Sequence, residues 1–235
     1  MEKIEIGGHP STMFIRCDKN PNLVILGGYD GGYPRIIYAS APNLLGGNPE
    51  QADKVRGPYD VLKREVEEEI SRGSNDKDWK GRPIQWANDA DIKLIRDSIL
   101  ENTSSYGDYL VVQDGIMGKR RDTNEKVRLG DLGTYINSVY KASIGQDVLE
   151  CIQDNINAGK RFYTEGFVGI HNMKQLEAAG EFSTAHATAP ILNYYFGTNI
   201  PSPPEIKVSK VGNVRQLYSH YSEDFPHAES VWGAK

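Results

Sequence analysis

The chain has 235 residues, a formal net charge of -5, 38% hydrophobic and 25% charged residues, the profile of a water-soluble globular protein long enough for one substantial domain. No apolar run reaches the roughly 20 residues that cross a bilayer, and the start MEKIEIGG has no signal-peptide core, so neither a membrane span nor export is expected. The acidic balance argues against a general nucleic-acid binder, which carries a basic face, and the two cysteines, Cys17 and Cys151, argue against a disulfide framework and suit the cytoplasm.

STMFIRC (11–17) and LVILGGY (23–29) are rich in β-branched and aromatic residues around a polar DKNPN, which predicts a hairpin. RIIYAS (35–40) reads as a third strand running into APNLLGGN. Glycines at a strand-to-helix turn allow close backbone approach, so the N–H groups of Gly46 and Gly47 can meet a phosphate; a plain tight turn has the same composition.

Gly57 to Gly73, GPYDVLKREVEEEISRG, predicts a helix with Pro58 at its first position and Gly73 as the left-handed residue that stops it. Tyr59, Leu62, Val66 and Ile70 make one apolar stripe for packing on a sheet. Glu65, Glu68 and Glu69 stand at i, i+3 and i+4 and share another side. Three carboxylates on one arc repel unless something positive sits there, and hard cations such as Mg2+ or Mn2+ prefer such oxygens. A solvated acidic face has the same spacing.

SNDKDWKGRP is polar and expected to be exposed, and Asp89 to Asn102 predicts a helix with Asn88 or Asp89 as cap. DYLVVQDGIMG (108–118) reads as a strand, NEKVRLG as a short strand or loop, and YINSVYKAS (135–143) fits either period. KRR at 119–121 reads as a solvated loop. Gln146 to Ala158 predicts a helix with Val148, Leu149, Ile152 and Ile156 inward. RFYTEGFVGI then reads as a strand, NMKQLEAAG as a short helix, and STAHATAPILNYYFG (183–197) as a closing helix that Pro190 breaks or begins. His186 is a candidate phosphate contact or a structural histidine. The tail from Ile200 has no strong period; Tyr218, Tyr221, Phe225 and Trp232 can pack back on the domain or form a homodimer contact, while His220 and His227 are too isolated for a metal.

Arg64, Glu65, Val66, Glu68 and Glu69 resemble the core of the Nudix box, G-x5-E-x7-R-E-U-x-E-E-x-G-U, position for position, and PNLLGGNPE (42–50) resembles the strand end and Gly-Gly turn that enter it. Two departures mark a divergent box: Arg56 stands where the upstream glutamate belongs, and Ser71 where the late glycine belongs. The resemblance implies one Nudix-like α/β domain over 1–235, an α/β/α sandwich with a mixed sheet. The helical segment at about 74–105 would be an insertion and about 198–235 a C-terminal extension.

It also implies a pyrophosphohydrolase that cleaves a nucleoside diphosphate linked to another moiety, a small molecule. Mg2+ or Mn2+ would be held by Glu65, Glu68 and Glu69. The implied catalytic residues are Glu68, Glu165 as candidate base or further metal ligand, and Arg64 orienting a helix glutamate; Glu125 and Asp114 are rivals to Glu165. The lengthened box, the missing upstream glutamate and Ser71 point alternatively to a Nudix-like nucleotide-binding or regulatory module without turnover.

Overall fold

A computed structural model describes residues 9–29, 41–50, 57–113, 117–119, 126–128, 133–180, 183–185 and 187–212. The expected strand at 35–40, Arg56, Asp114, Glu125, His186 and the aromatic and histidine positions of the tail lie outside these residues.

The predicted hairpin forms from β1 (Ser11–Cys17) and β2 (Asn20–Tyr29), antiparallel with Ile15 opposite Ile25. Its turn is tighter than DKNPN suggested, because Asn20 already pairs with Cys17. Two short strands follow, β3 (Pro42–Asn43) on β2 and β4 (Leu45–Gly47) on β1. Next come helix α1 (Pro58–Glu69), strand β5 (Gln85–Trp86) and helix α2 (Asp89–Glu101), whose cap Asn88 accepts the Asp91 N–H at 2.8 Å. Strand β6 (Thr103–Gln113) begins at once, ahead of the apolar DYLVV run. Strands β7 (Met117–Lys119) and β8 (Lys126–Arg128) pair with each other.

YINSVYKAS is a strand, β9 (Gly133–Ile144), because it is paired on both sides. It runs parallel to β1, Ser11 opposite Ser138 through Cys17 opposite Ile144, and antiparallel to β6. A parallel pair cannot be joined by a tight turn, and α1 and α2 lie in the long connection between β1 and β9. Helix α3 (Gln146–Asn157), strand β10 (Lys160–Arg161), strand β11 (Gly166–Asn172) and helix α4 (Met173–Ala178) follow. The strand read across RFYTEGFVGI is thus two strands, interrupted at Phe162 to Glu165. Helix α5 (Thr188–Phe196) carries Pro190 in its first turn, where a missing N–H costs no helical bond, and stops at Gly197 with φ 64°. Strand β12 (Ile206–Val211) closes the described chain on the edge of β6.

The main sheet has eight strands in the order β11-β2-β1-β9-β6-β12, with β3 and β4 attached to β2 and β1. Alternation along β1 sends successive side chains to opposite faces. Met13 and Ile15 join an apolar cluster with Leu62 and Val66 of α1, Ile95 and Ile99 of α2 and Ile152 of α3. Phe14 joins a second with Leu176 of α4 and Ile191 and Leu192 of α5. The protein is therefore a mixed α/β fold. Among the described residues, no helix is long and apolar enough to cross a membrane.

A polar chain threads this core. Ser138 of β9 donates its hydroxyl to Asp108 of β6 and so receives, at 2.9 Å, the proton on Nε2 of His9. With His9 only 4% exposed, burial lowers its pKa from 6.5 to about 3. The folded protein then keeps this ring neutral where the unfolded chain protonates it, so stability falls as pH drops from about 6.5 toward about 3. The limiting slope is about 1.4 kcal/mol per pH unit. Burial raises the neighbouring Asp108 carboxyl, partly offset by the Ser138 bond, which acts in the opposite sense. The difference between wild type and His9→Gln isolates the histidine. Urea unfolding at pH 7, 6 and 5 is expected to show a shallower loss for His9→Gln; parallel pH curves would refute the assignment.

Candidate active site

Helix α1 starts where Pro58 fixes the backbone and Asp60 accepts the Gly57 N–H at 3.2 Å. Leu62, Val66 and Ile70 of the predicted stripe are fully buried, whereas Tyr59 is 40% exposed and leans on the ring of Tyr140. The helix ends at Glu69, before Gly73. Gly73 is not a left-handed stop; a Cβ there would lie 2.8 Å from the Trp86 ring, so close packing is what it permits. Composition favours a stop at Gly73, but the chain leaves the helix where Thr164 N–H caps the Glu69 carbonyl at 2.8 Å.

Burying the stripe turns the acidic residues onto three different environments. Arg64 donates from Nη2 to Glu65 Oε1 at 2.7 Å and to the Asn48 carbonyl at 3.1 Å, and from Nη1 to Glu68 Oε2 at 2.9 Å. Glu50 lies 3.8 Å from the same Nη1. One guanidinium therefore clamps two helix carboxylates and ties the chain after β4 to α1. Side-chain exposure is 15% for Glu65 and 58% for Glu68, so Glu68 is the solvent-facing member.

Glu69 lies inside the protein. Gly46 N–H donates to its Oε2 at 3.0 Å, which commits that amide to the helix rather than to an open phosphate cradle. Gly46 has φ 109°, and a Cβ there would sit 2.3 Å from the Ser11 carbonyl oxygen, so this turn requires glycine. A Cβ on Gly47 would meet the Glu65 carboxylate at 2.8 Å; the glycine makes room for that carboxylate. Burial pushes the Glu69 carboxyl up to about 8, the Gly46 amide and the Tyr163 hydroxyl hold it down, and the charges of Glu65 and Glu165 push it further up. Burial also raises Glu65, opposed by the charge and hydrogen bond of Arg64 and reinforced by Glu68 and Glu165.

The Thr164–Glu69 backbone bond pins the segment between β10 and β11 to the end of α1, and this brings Glu165 beside the helix. Arg64, Glu65, Glu69 and Glu165 thus meet on one edge, with Glu68 outside it on the Arg64 fork. Tyr163, Asn48 and Glu50 carry no signal of their own in the sequence. Tyr163 falls inside a run that reads as one continuous strand, and the other two reach Arg64 only through the path of a loop.

The donor set is all carboxylate oxygen, the chemistry that suits Mg2+ or Mn2+. Among the described residues, no three acidic, histidine or cysteine side chains converge as a ready-made cage. Mg2+ is commonly bound by one or two carboxylates and completed by substrate phosphate and water, and mutual repulsion on this edge favours a cation there. On donor chemistry the residues fit such an ion.

No family model matches the chain, and no curated protein matches it. A solved structure of a MutT/Nudix family protein from Listeria innocua is similar over 74% of this chain and 83% of its own, at 13% identity and a TM-score of 0.37.

The two glycines separate structure from site. Gly46→Ala is expected to cost about 1–3 kcal/mol through its left-handed backbone and the Ser11 clash, a fall of roughly 3–10 °C in Tm by calorimetry. In Gly47→Ala the atoms nearest the new methyl are the flexible carboxylate end of Glu65, so Tm should hold while Glu65 is displaced. Equal melting of Gly46→Ala and wild type would show that the turn relaxes freely.

Proposed function

We propose that this protein is a divergent Nudix-type hydrolase, an α/β/α sandwich that cleaves the diphosphate of a nucleoside diphosphate linked to a second moiety. The observation that carries this reading is the Arg64 clamp. The R-E-x-x-E-E residues that resemble the Nudix box fold so that the arginine orients Glu65 and Glu68, while Glu65, Glu69 and Glu165 form an acidic edge. Glu65, Glu68 and Glu69, with Glu165 beside them, would hold Mg2+ or Mn2+ in this reading. When bound, the ion supplies neutralisation of the diphosphate oxygens.

The chain's own residues supply the rest. Arg64 fixes Glu65 and Glu68 and keeps their charges from driving the helix edge apart. Glu165 is exposed and close to the helix carboxylates, where it would accept a proton from water as the water oxygen bonds to phosphorus and the bridging P–O bond breaks, its electron pair leaving on the oxygen of the second phosphate. The Gly46 and Tyr163 bonds hold Glu69 in place while that charge redistributes.

The test is release of nucleoside monophosphate from a panel of nucleoside diphosphate conjugates with Mg2+ or Mn2+, wild type beside Glu65→Gln and Glu68→Gln. Wild type is expected to turn over, and Glu65→Gln to lose about 100- to 10,000-fold in kcat, the usual range for a lost acid–base or charge-stabilising group. Turnover that survives Glu65→Gln would refute the acidic edge. Nucleotide binding with no turnover by folded wild type would leave a binding module in its place.

A further inference from the structure

Beyond the end of α1 the chain builds a second feature that the hydrolytic reading does not use. Asp76 to Ile84 closes on itself: Ile84 N–H bonds the Asp76 carbonyl at 2.9 Å, Asp78 N–H bonds the Arg82 carbonyl at 2.8 Å, and Lys77 bridges Pro83. Inside this loop the Asp78 carboxylate accepts from the amides of Lys80 and Arg82 and from Arg82 Nε, at 2.7–2.9 Å, and Gly81 takes a left-handed φ of 76°. The turn is braced, and Asp78 has its charge answered by Arg82. At its tip Trp79 is 52% exposed, with the Lys80 ammonium 4.7 Å from its ring centroid.

Water is a poor place for an indole held on a braced turn, since burying an aromatic ring is among the larger gains a side chain offers. The ring borders a cleft of about 780 Å3 whose walls include Arg72, Lys77, Trp79, Trp86 and Glu165. Trp86 is fixed, its ring against Gly73 and its indole N–H on the Asn75 carbonyl at 3.3 Å. Arg72 and Lys77 make no ion pair with another described residue, and both line the cleft. Glu165 belongs to both places: it lines this cleft and it faces Glu65 and Glu69.

We propose that this cleft recognises the nucleoside part of the substrate, the base stacking on Trp79 and the diphosphate drawn between Arg72 and Lys77 toward Glu165. The proposal deepens the hydrolytic reading and rests on it for the position of the scissile bond. An aromatic platform beside two cations is complementary to a base joined to phosphate, and the volume suits a ligand of nucleotide size or somewhat larger. Stacking on an indole accepts every base, so Trp79 sets a preference for nucleosides over base-free diphosphates rather than for one base.

The test is calorimetric titration of the full chain without divalent cation, using ADP and inorganic pyrophosphate as probes, on wild type, Trp79→Ala, Trp79→Phe and Arg72→Ala. Because Trp79 is exposed, its replacement should leave the fold intact, checked by circular dichroism. Trp79→Ala is expected to weaken ADP about ten- to hundredfold, leave pyrophosphate unchanged and be largely rescued by Trp79→Phe. Arg72→Ala should weaken both probes. Unchanged ADP affinity in Trp79→Ala, or no ADP binding by folded wild type, overturns the proposal. The two readings fail separately. Hydrolysis whose KM ignores Trp79 removes the cleft and leaves the acidic edge, whereas Trp79-dependent ADP binding without turnover of any conjugate removes the hydrolase and leaves the cleft.

Discussion

The carboxyl group of Glu69 is buried and bonded by the amide of Gly46 and the hydroxyl of Tyr163, and three separate parts of the chain meet there. β4 arrives with a left-handed glycine, α1 contributes its last residue, and the segment between β10 and β11 contributes Tyr163 and the Thr164 amide. A buried carboxylate is costly unless its oxygens are met by donors. Its two bonds tie the last residue of the helix to the sheet edge, while the Thr164 amide on its backbone carbonyl marks where the helix ends. Glu65, one turn earlier, is positioned by the same docking, with Gly47 beneath it and Arg64 beside it.

That docking depends on the strand order of the sheet. β1 lies between β2 and β9, antiparallel to one and parallel to the other. The parallel pair forces a long connection, and α1, the 74–86 segment and α2 lie within it. Because β1 sends Met13 and Ile15 to one apolar cluster and Phe14 to the other, it anchors the helices that carry the acidic edge and also the α4–α5 layer. The site and its neighbouring cleft thus hang from one strand pairing. Glu165, on the short chain between β10 and β11, links the two.

Local signals in the sequence suffice where local physics decides. α1, α2, α3 and α5 follow apolar periodicity, capping residues and good helix formers, and the β1–β2 hairpin follows two β-rich runs around a polar turn. YINSVYKAS had no such signal. Its Asn137 and Ser138 are buried polar residues, and Ser138 is satisfied by His9 and Asp108, partners far away in the chain. Gly73 looked like a helix stop because glycine commonly is one; in place, it is the spot where an indole needs room.

That Arg64, Glu65, Glu68 and Glu69 ride on one helix is legible in the residue order, because i, i+3 and i+4 spacing is a property of the helix alone. So is the inward turn of Leu62, Val66 and Ile70. Which glutamate is buried (Glu69), which exposed (Glu68) and which clamped at the edge (Glu65) follows from the packing of the whole chain. Those differences depend on which neighbour each side chain meets once the stripe is seated on the sheet. Glu165 and Trp86 gained their place in the same way. Their neighbours are set by strand pairing and by hydrogen bonds between distant segments, contacts that no pattern of adjacent residues encodes.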